Sequence, residues 1–143
     1  MYPRYEEDFY GWISTSIMLL KQKRFGEMDI DHLIEELEDM VSSNETQMIN
    51  RLTLILSHLL KWQFQPNLRG HSWIYTIREQ RKRSKIHIRK NPSIKSKINE
   101  IVFDAYDIAI SEAAKETGLN EDTFPIQCPY TLEQIMNDEF YPD

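Results

Sequence analysis

The chain has one cysteine in 143 residues, Cys128. No internal disulfide is available, and a reducing compartment fits. No apolar run nears the roughly 18–20 residues that span a bilayer, so no membrane partner is expected. The opening MYPRYEEDFY has neither a basic n-region nor an apolar h-region, so no secretion signal is read and a cytoplasmic location is expected. Chemical signatures are missing too. There is no Gly-x-Gly-x-x-Gly and no Gly-Lys-Ser/Thr, which removes the common phosphate-cradling loops. There is no Gly-x-Ser-x-Gly elbow, no His-Glu-x-x-His and no Glu-x-x-His, which removes the usual hydrolase, zinc and di-iron patterns. No catalytic residue, metal or cofactor is assigned.

Glycine and proline are scarce as well, four and six, and their positions organise the chain. Between Gly26 and Pro66 lie 39 residues with neither, between Gly70 and Pro92 there are 21, and between Pro92 and Gly118 there are 25. Such spans favour helices, because strands average only about five or six residues. Periodicity agrees: Leu33, Leu37, Met40, Met48, Leu52, Ile55, Leu59 and Trp62 recur at steps near three and four, and so do Ile94, Ile98, Ile101, Ala105 and Ile108. The expected fold is an all-α bundle forming a single domain over 1–143. Its four main helices fall near 5–23, 31–64, 72–90 and 92–117, with a short one near 131–137. Asp31 and Asn91 are read as N-caps, Gly118 as a left-handed C-terminal stop, and Thr131 with Gln134 as a capping box. The expected core holds Trp12, Leu37, Leu52, Ile55, Leu59, Trp62, Ile77, Ile98, Ala105 and Ile108. A helix over 31–64 would be about 51 Å long. A compact domain of this size has a radius of gyration of only about 14–15 Å. The helix therefore protrudes, or it bends near Ser42–Asn44, where Ser42 and Glu45 repeat the capping-box spacing.

Charge is segregated. The net charge of −6 divides into −7 over residues 1–50, +2 over 51–68, +9 over 69–97 and −10 over 98–143. The third helix is a basic rod carrying Arg78, Arg81, Lys82, Arg83, Lys85, Arg89 and Lys90. A phosphate-binding surface of Lys82, Lys85, Arg89 and Lys90 is one reading. The favoured one is neutralisation of the rod by acidic helices that flank it in sequence. Arg81 falls on the apolar seam Ile74, Ile77, Ser84, Ile88, where an unmet guanidinium costs several kcal/mol. An ion pair is therefore expected between Arg81 or Arg78 and a carboxylate among Glu35, Glu36, Glu38 and Asp39.

Other chemistry-bearing residues have bland readings beside sharp ones. His58 reads as a boundary histidine bonded to backbone, or as a general base in an interhelical polar cluster with Glu35, Asp39, Arg78 and Arg81. The Asp29-Ile30-Asp31-His32 run reads as a solvated helix start rather than a metal site. Cys128 reads as a small apolar group. Trp62, Phe64, Trp73 and Tyr75 read as the plug of a helical hairpin, or as base-stacking rings.

Several runs together resemble a known family. They are Tyr5-Glu6-Glu7-Asp8-Phe9-Tyr10-Gly11-Trp12, His58-Leu59-Leu60-Lys61-Trp62-Gln63, Ser72-Trp73, Thr76-Ile77-Arg78-Glu79-Gln80-Arg81, Asn91-Pro92-Ser93, Glu116-Thr117-Gly118-Leu119, Phe124-Pro125 and Cys128-Pro129-Tyr130-Thr131-Leu132-Glu133-Gln134. In order and nearly end to end, they look like the domain-of-unknown-function 29 family. The resemblance implies an all-helical bacterial protein of a kind frequent in cyanobacteria, and it transfers no site residue. A small interaction or regulatory module, with a protein partner or a second copy of itself, is the first functional expectation. Nucleic-acid binding through 69–97 is the second, and an enzyme built on the polar cluster is the third.

Overall fold

The computed structural model describes residues 1–143 and is entirely helical, with no strand. Helix α1 is Phe9–Lys21, α2 is Ile30–Phe64, α3 is His71–Lys90, α4 is Ile98–Thr117 and α5 is Leu132–Met136. None is long and apolar enough to cross a membrane. The chain divides into two compact units, Met1–Ser43 and Asn44–Asp143. Helix α2 runs unbroken through Ser42–Asn44, so the alternative of a break there is settled in favour of continuity.

The first unit is built around Trp12, which is fully buried. Its ring meets Tyr5 edge-on at 4.9 Å, Phe9 at 5.9 Å and His32 at 6.4 Å between centroids. Its indole N–H donates to Asp29 at 3.1 Å, satisfying the one polar atom that burial would strand. Helix α1 starts later than residue 5, because Asp8 caps it by accepting from the Gly11 N–H at 3.0 Å. A Cβ at Gly11 would overlap that carboxylate, so a larger residue there would make the capping side chain shift. Asp29, not Asp31, accepts from the first-turn N–H of α2, that of His32, at 3.4 Å.

The second unit packs the later half of α2 against α3 and α4. Met48, Leu52, Ile55, Leu56, Leu59 and Leu60 are fully buried together with Ile77 of α3. Helix α4 contributes Ile98 and Ile101, then Ala105, Ala109 and Ala113 at steps of four. The alanines let the backbones approach closely: Thr53 Oγ1 of α2 lies 3.4 Å from the Ala105 carbonyl. That alanine line also explains Ile108, which the spacing places in the core. It sits beside the line and is exposed. Leu37 is likewise exposed rather than core, and Trp62 is half-buried against Tyr141 at 5.0 Å. Residues 92–97 form a 3-10 segment before α4. Asn91 does not cap it, since its side-chain amide donates to the His87 carbonyl instead. Gly118 closes α4 in the left-handed region at φ 75°, and Thr131 with Gln134 forms the full capping box of α5.

Besides the Arg69 donation to the Asp143 carbonyl at 2.8 Å and the Lys85–Asp138 ion pair, three polar contacts fasten the C-terminal segment. Tyr106 donates to the Pro125 carbonyl at 2.6 Å and Tyr130 to Gln63 Oε1 at 2.7 Å. Arg81 is the third. It is fully buried, and it meets no carboxylate. Its Nε donates to the Ile135 carbonyl at 2.7 Å, and its Nη2 to those of Gln134 at 3.1 Å and Phe140 at 2.9 Å. Its plane lies 5.4 Å from the Tyr141 ring. The expected ion pair is thus replaced by main-chain oxygens. Helix ends leave their last carbonyls unpaired and partly negative, and a cation is a suitable cap for them.

Replacing Arg81 with Met keeps the length and removes every donor. Breaking a buried charged hydrogen-bond set costs about 3 kcal/mol or more. Denaturant unfolding of Arg81→Met is expected to show that loss, with residues 131–143 becoming the first site of proteolytic cleavage. Unchanged stability would show that the three carbonyls find water freely.

Candidate functional site

Helix α3 is polar on both sides, for different reasons. Arg81 and Ser84 point inward and are buried, whereas Arg78, Lys82, Lys85 and Arg89 are exposed. The latter four follow steps of four, three and four, which places them on one helical face. With Tyr75, Glu79, Ile86, Asp138 and Glu139 they line a groove of 1020 Å³ between α3 and the C-terminal segment. Lys85 pairs with Asp138 at 3.0 Å, and Arg83 pairs with Glu79 of its own helix at 3.0 Å. No carboxylate lies within ion-pair distance of Arg78, Lys82, Arg89 or Lys90. The flanking acidic helices thus form no ion pair with the outer cations of this rod, and the carboxylates that line its groove are Glu79, Asp138 and Glu139. A carboxylate from the tail and one from α3 itself meet two of its cations, Arg81 is enclosed on carbonyls, and Arg78, Lys82, Arg89 and Lys90 are exposed. Lys90 is exposed at the end of α3, outside the groove.

The polar cluster expected from sequence does not assemble within the second unit. Arg78 lies in the outer groove and Arg81 lies inside on carbonyls. His58 has neighbours of its own: Nδ1 donates to the Leu54 carbonyl at 2.8 Å, and Nε2 faces Lys61 Nζ at 3.5 Å. Lys61 is buried and bound to Glu116. With Nδ1 committed as a donor, His58 cannot take a proton from Ser57 beside it, so this is no nucleophile–base pair. Glu35 and Asp39 belong to the first unit and are exposed there. Cys128 donates weakly to the Tyr130 carbonyl at 3.4 Å, and burial pushes its thiol up, away from reactivity. Phe64 packs edge-on against Phe124 at 5.3 Å, as a core ring. Tyr75 instead is 65% exposed at the groove.

In the first unit His32 donates from Nδ1 to Asp29 at 2.7 Å, its Nε2 lies 3.4 Å from Glu6, and its ring stacks on Tyr5 at 4.2 Å. Tyr5 bonds Glu36, and that bond chiefly raises its hydroxyl to about 12. No group of His, Cys, Asp and Glu is placed to hold a metal ion. Beyond this network, Ile30, Ile34, Leu37 and Val41 of α2 are 46–61% exposed. Sequence spacing marks them as apolar-periodic but cannot say whether anything covers them.

The family model for Domain of unknown function DUF29 matches residues 4–141. The chain belongs to the DUF29 family. No curated protein and no solved structure matches it. Membership in DUF29 carries no activity with it, so function has to be argued from the surfaces above.

The histidines give a pH test. His32 is held above the ordinary imidazole value of 6.5, first by its hydrogen bond to Asp29. His58 and His87 are pushed below 6.5, first by burial, with Lys61 and Arg51 respectively adding to it. A raised histidine stabilises the fold below about 6.5 and loses that contribution as pH rises through its folded value. The lowered pair act oppositely: their stability is present above about 6.5 and drains away as pH falls toward their folded values. An NMR titration of the ring signals is expected to put His32 highest of the three. His32→Gln should selectively remove stability on the acid side of neutrality. A His32 midpoint below those of His58 and His87 would contradict the geometry.

Proposed function

We propose that this chain is a protein-interaction module, and that its docking surface is the early half of α2, which receives an amphipathic helix with basic flanks. One observation carries the reading. Ile30, Ile34, Leu37 and Val41 are spaced four, three and four. Met48, Leu52, Ile55 and Leu59 repeat that spacing, each 18 residues on, which is five whole turns of a helix at about 3.6 residues per turn. The later set is fully buried, covered by helices. The earlier set is uncovered. A stripe of apolar residues at alternating steps of four and three has the spacing of a coiled-coil seam.

Charge supplies the partner's chemistry. Asp31, Glu35, Glu38 and Asp39 border the stripe, are exposed, and take part in no ion pair. A second copy laid on the same stripe would set carboxylates against carboxylates, which disfavours it. Lysine or arginine beside an apolar seam complements them. Helix α3 shows the type within this chain, with Ile77 covering the later stripe and Lys82 and Arg89 on its outer side. Covering the remaining half of four such side chains contributes roughly 1 kcal/mol each.

The test uses a synthetic amphipathic peptide with leucine at the seam positions and lysine beside them. It is expected to bind the whole protein and to gain helicity on binding. Ile34→Glu with Leu37→Glu should weaken binding at least tenfold, while thermal stability stays within about 0.5 kcal/mol, because both sites are exposed. Equal binding of a scrambled peptide of the same composition would overturn helix docking. A dimer in sedimentation that Leu37→Glu dissociates would give the stripe to a second copy instead.

A further inference from the structure

The groove outside α3 carries a second, independent inference. We propose that it binds the sugar–phosphate backbone of single-stranded nucleic acid, and that Asp138 of the C-terminal segment competes for the same cations. The two parts rest on different observations.

The first is alignment. From Arg78 to Arg89 the α3 axis rises about 16 Å, with one cation roughly every 5–6 Å. Three of the four cations, Arg78, Lys82 and Arg89, have no carboxylate partner. A row of free cations in a groove follows a chain of regularly spaced negative charges, and a phosphodiester backbone is such a chain. Tyr75 lies one turn before Arg78, lines the groove, and is largely exposed. An exposed ring at the end of a basic groove is the platform on which an unpaired base stacks, and this favours a single strand over an acidic peptide. The overall charge of −6 opposes binding only weakly at this distance, because charges are screened beyond about 10 Å at 0.1 M salt.

The second is occupancy. Asp138 sits in the groove with an oxygen 3.0 Å from Lys85 Nζ. It stands where a phosphate oxygen would stand. Arg81, bound to the Phe140 carbonyl, fixes the segment that brings Asp138 there. Binding must therefore displace one internal anion, and neutralising that anion must strengthen binding. A groove whose cations serve only solubility predicts no such gain.

The experiment is fluorescence anisotropy of the whole protein with labelled oligo(dT) and oligo(U) across a salt series. Each phosphate contact on a single strand contributes a slope of about −0.7 in log K against log salt. Wild type, with three free cations, is expected near −2. Asp138→Asn frees Lys85, and should bind several-fold tighter with a slope near −3. Arg78→Gln with Lys82→Gln should fall to a slope near −0.7 and lose at least tenfold in affinity at low salt. Tyr75→Ala should weaken binding without changing the slope. All the substituted side chains are exposed, and circular dichroism checks that the fold is kept. The proposal is overturned by no binding at 20 mM salt (roughly a 20 Å screening length), by equal binding of the double variant, by weaker binding of Asp138→Asn, or by tighter binding of a poly-glutamate peptide than of either oligonucleotide.

Discussion

The second unit depends on a guanidinium that has no counter-ion. Arg81 is fully enclosed, and burial lowers its basicity. Three carbonyls and the face of Tyr141 replace water around it. The carbonyls come from Gln134 and Ile135, at the end of a five-residue helix, and from Phe140 beyond it. An isolated helix that short does not form in water, because nucleation is unfavourable and few bonds follow. Arg81 and the Thr131 capping box supply, from outside and from the two ends, what the helix lacks internally. Ile135 and Tyr130 then add apolar burial to the same core as Leu59 and Ile77. Arg81 Nη1, Gln80 Oε1 and Ser84 Oγ are buried without a protein partner, and they lie along the same side of α3.

Anchoring the tail on the inner side of α3 sets the charge pattern on its outer side. A cation on the inner face can be satisfied by dipoles, because carbonyl oxygens are brought to it at fixed positions. The outer cations have no such fixed partners. Arg83 pairs with Glu79 of its own helix, and from outside α3 only Asp138, carried by the anchored tail, reaches one of them. One helix thus uses the same residue type for two purposes, and the difference is made by burial alone.

That difference also marks what the amino-acid sequence can reveal. Helix content, the left-handed stop at Gly118, the Thr131–Gln134 box and the burial of Arg81 follow from local rules, and all are legible. The partner of Arg81 is not. A seam position says that the guanidinium must be met, but a main-chain oxygen carries no residue signature, so the amino-acid sequence points to the nearest acidic run instead. The same limit applies to charge. Opposite blocks along a chain attract on average, yet pairing within about 4 Å requires facing geometry that composition does not encode. Leu37 fails for a related reason: periodicity reports that a face is apolar, and burial depends on what lies against it. The Asn44 side chain, bonded to His87 at 2.9 Å and to Asn91 at 3.2 Å, sits where the covered half of α2 begins. Its polar intrusion into the apolar series is visible in the sequence, but its meaning is not.

The exposed stripe bears on the stability of the first unit. That unit has 43 residues, and its fully or nearly fully buried apolar side chains are Trp12 and Leu19. Below about 70–80 residues a single core rarely supplies more than a few kcal/mol, and small units lean on a disulfide, a metal or a partner. The lone cysteine lies elsewhere in the chain, and no metal site is present. What remains is helical continuity with α2, the aromatic cluster around Trp12, and whatever covers Ile34 and Leu37. A ligand that binds only the folded form stabilises it by mass action. On the proposed reading, docking on the stripe would act twice: it would recognise the partner, and it would raise the stability of the unit that presents the surface. Local opening of residues 1–43 would then be fast in the free protein and slow in the complex. This coupling gives a physical reason why an apolar face is left open on so small a unit.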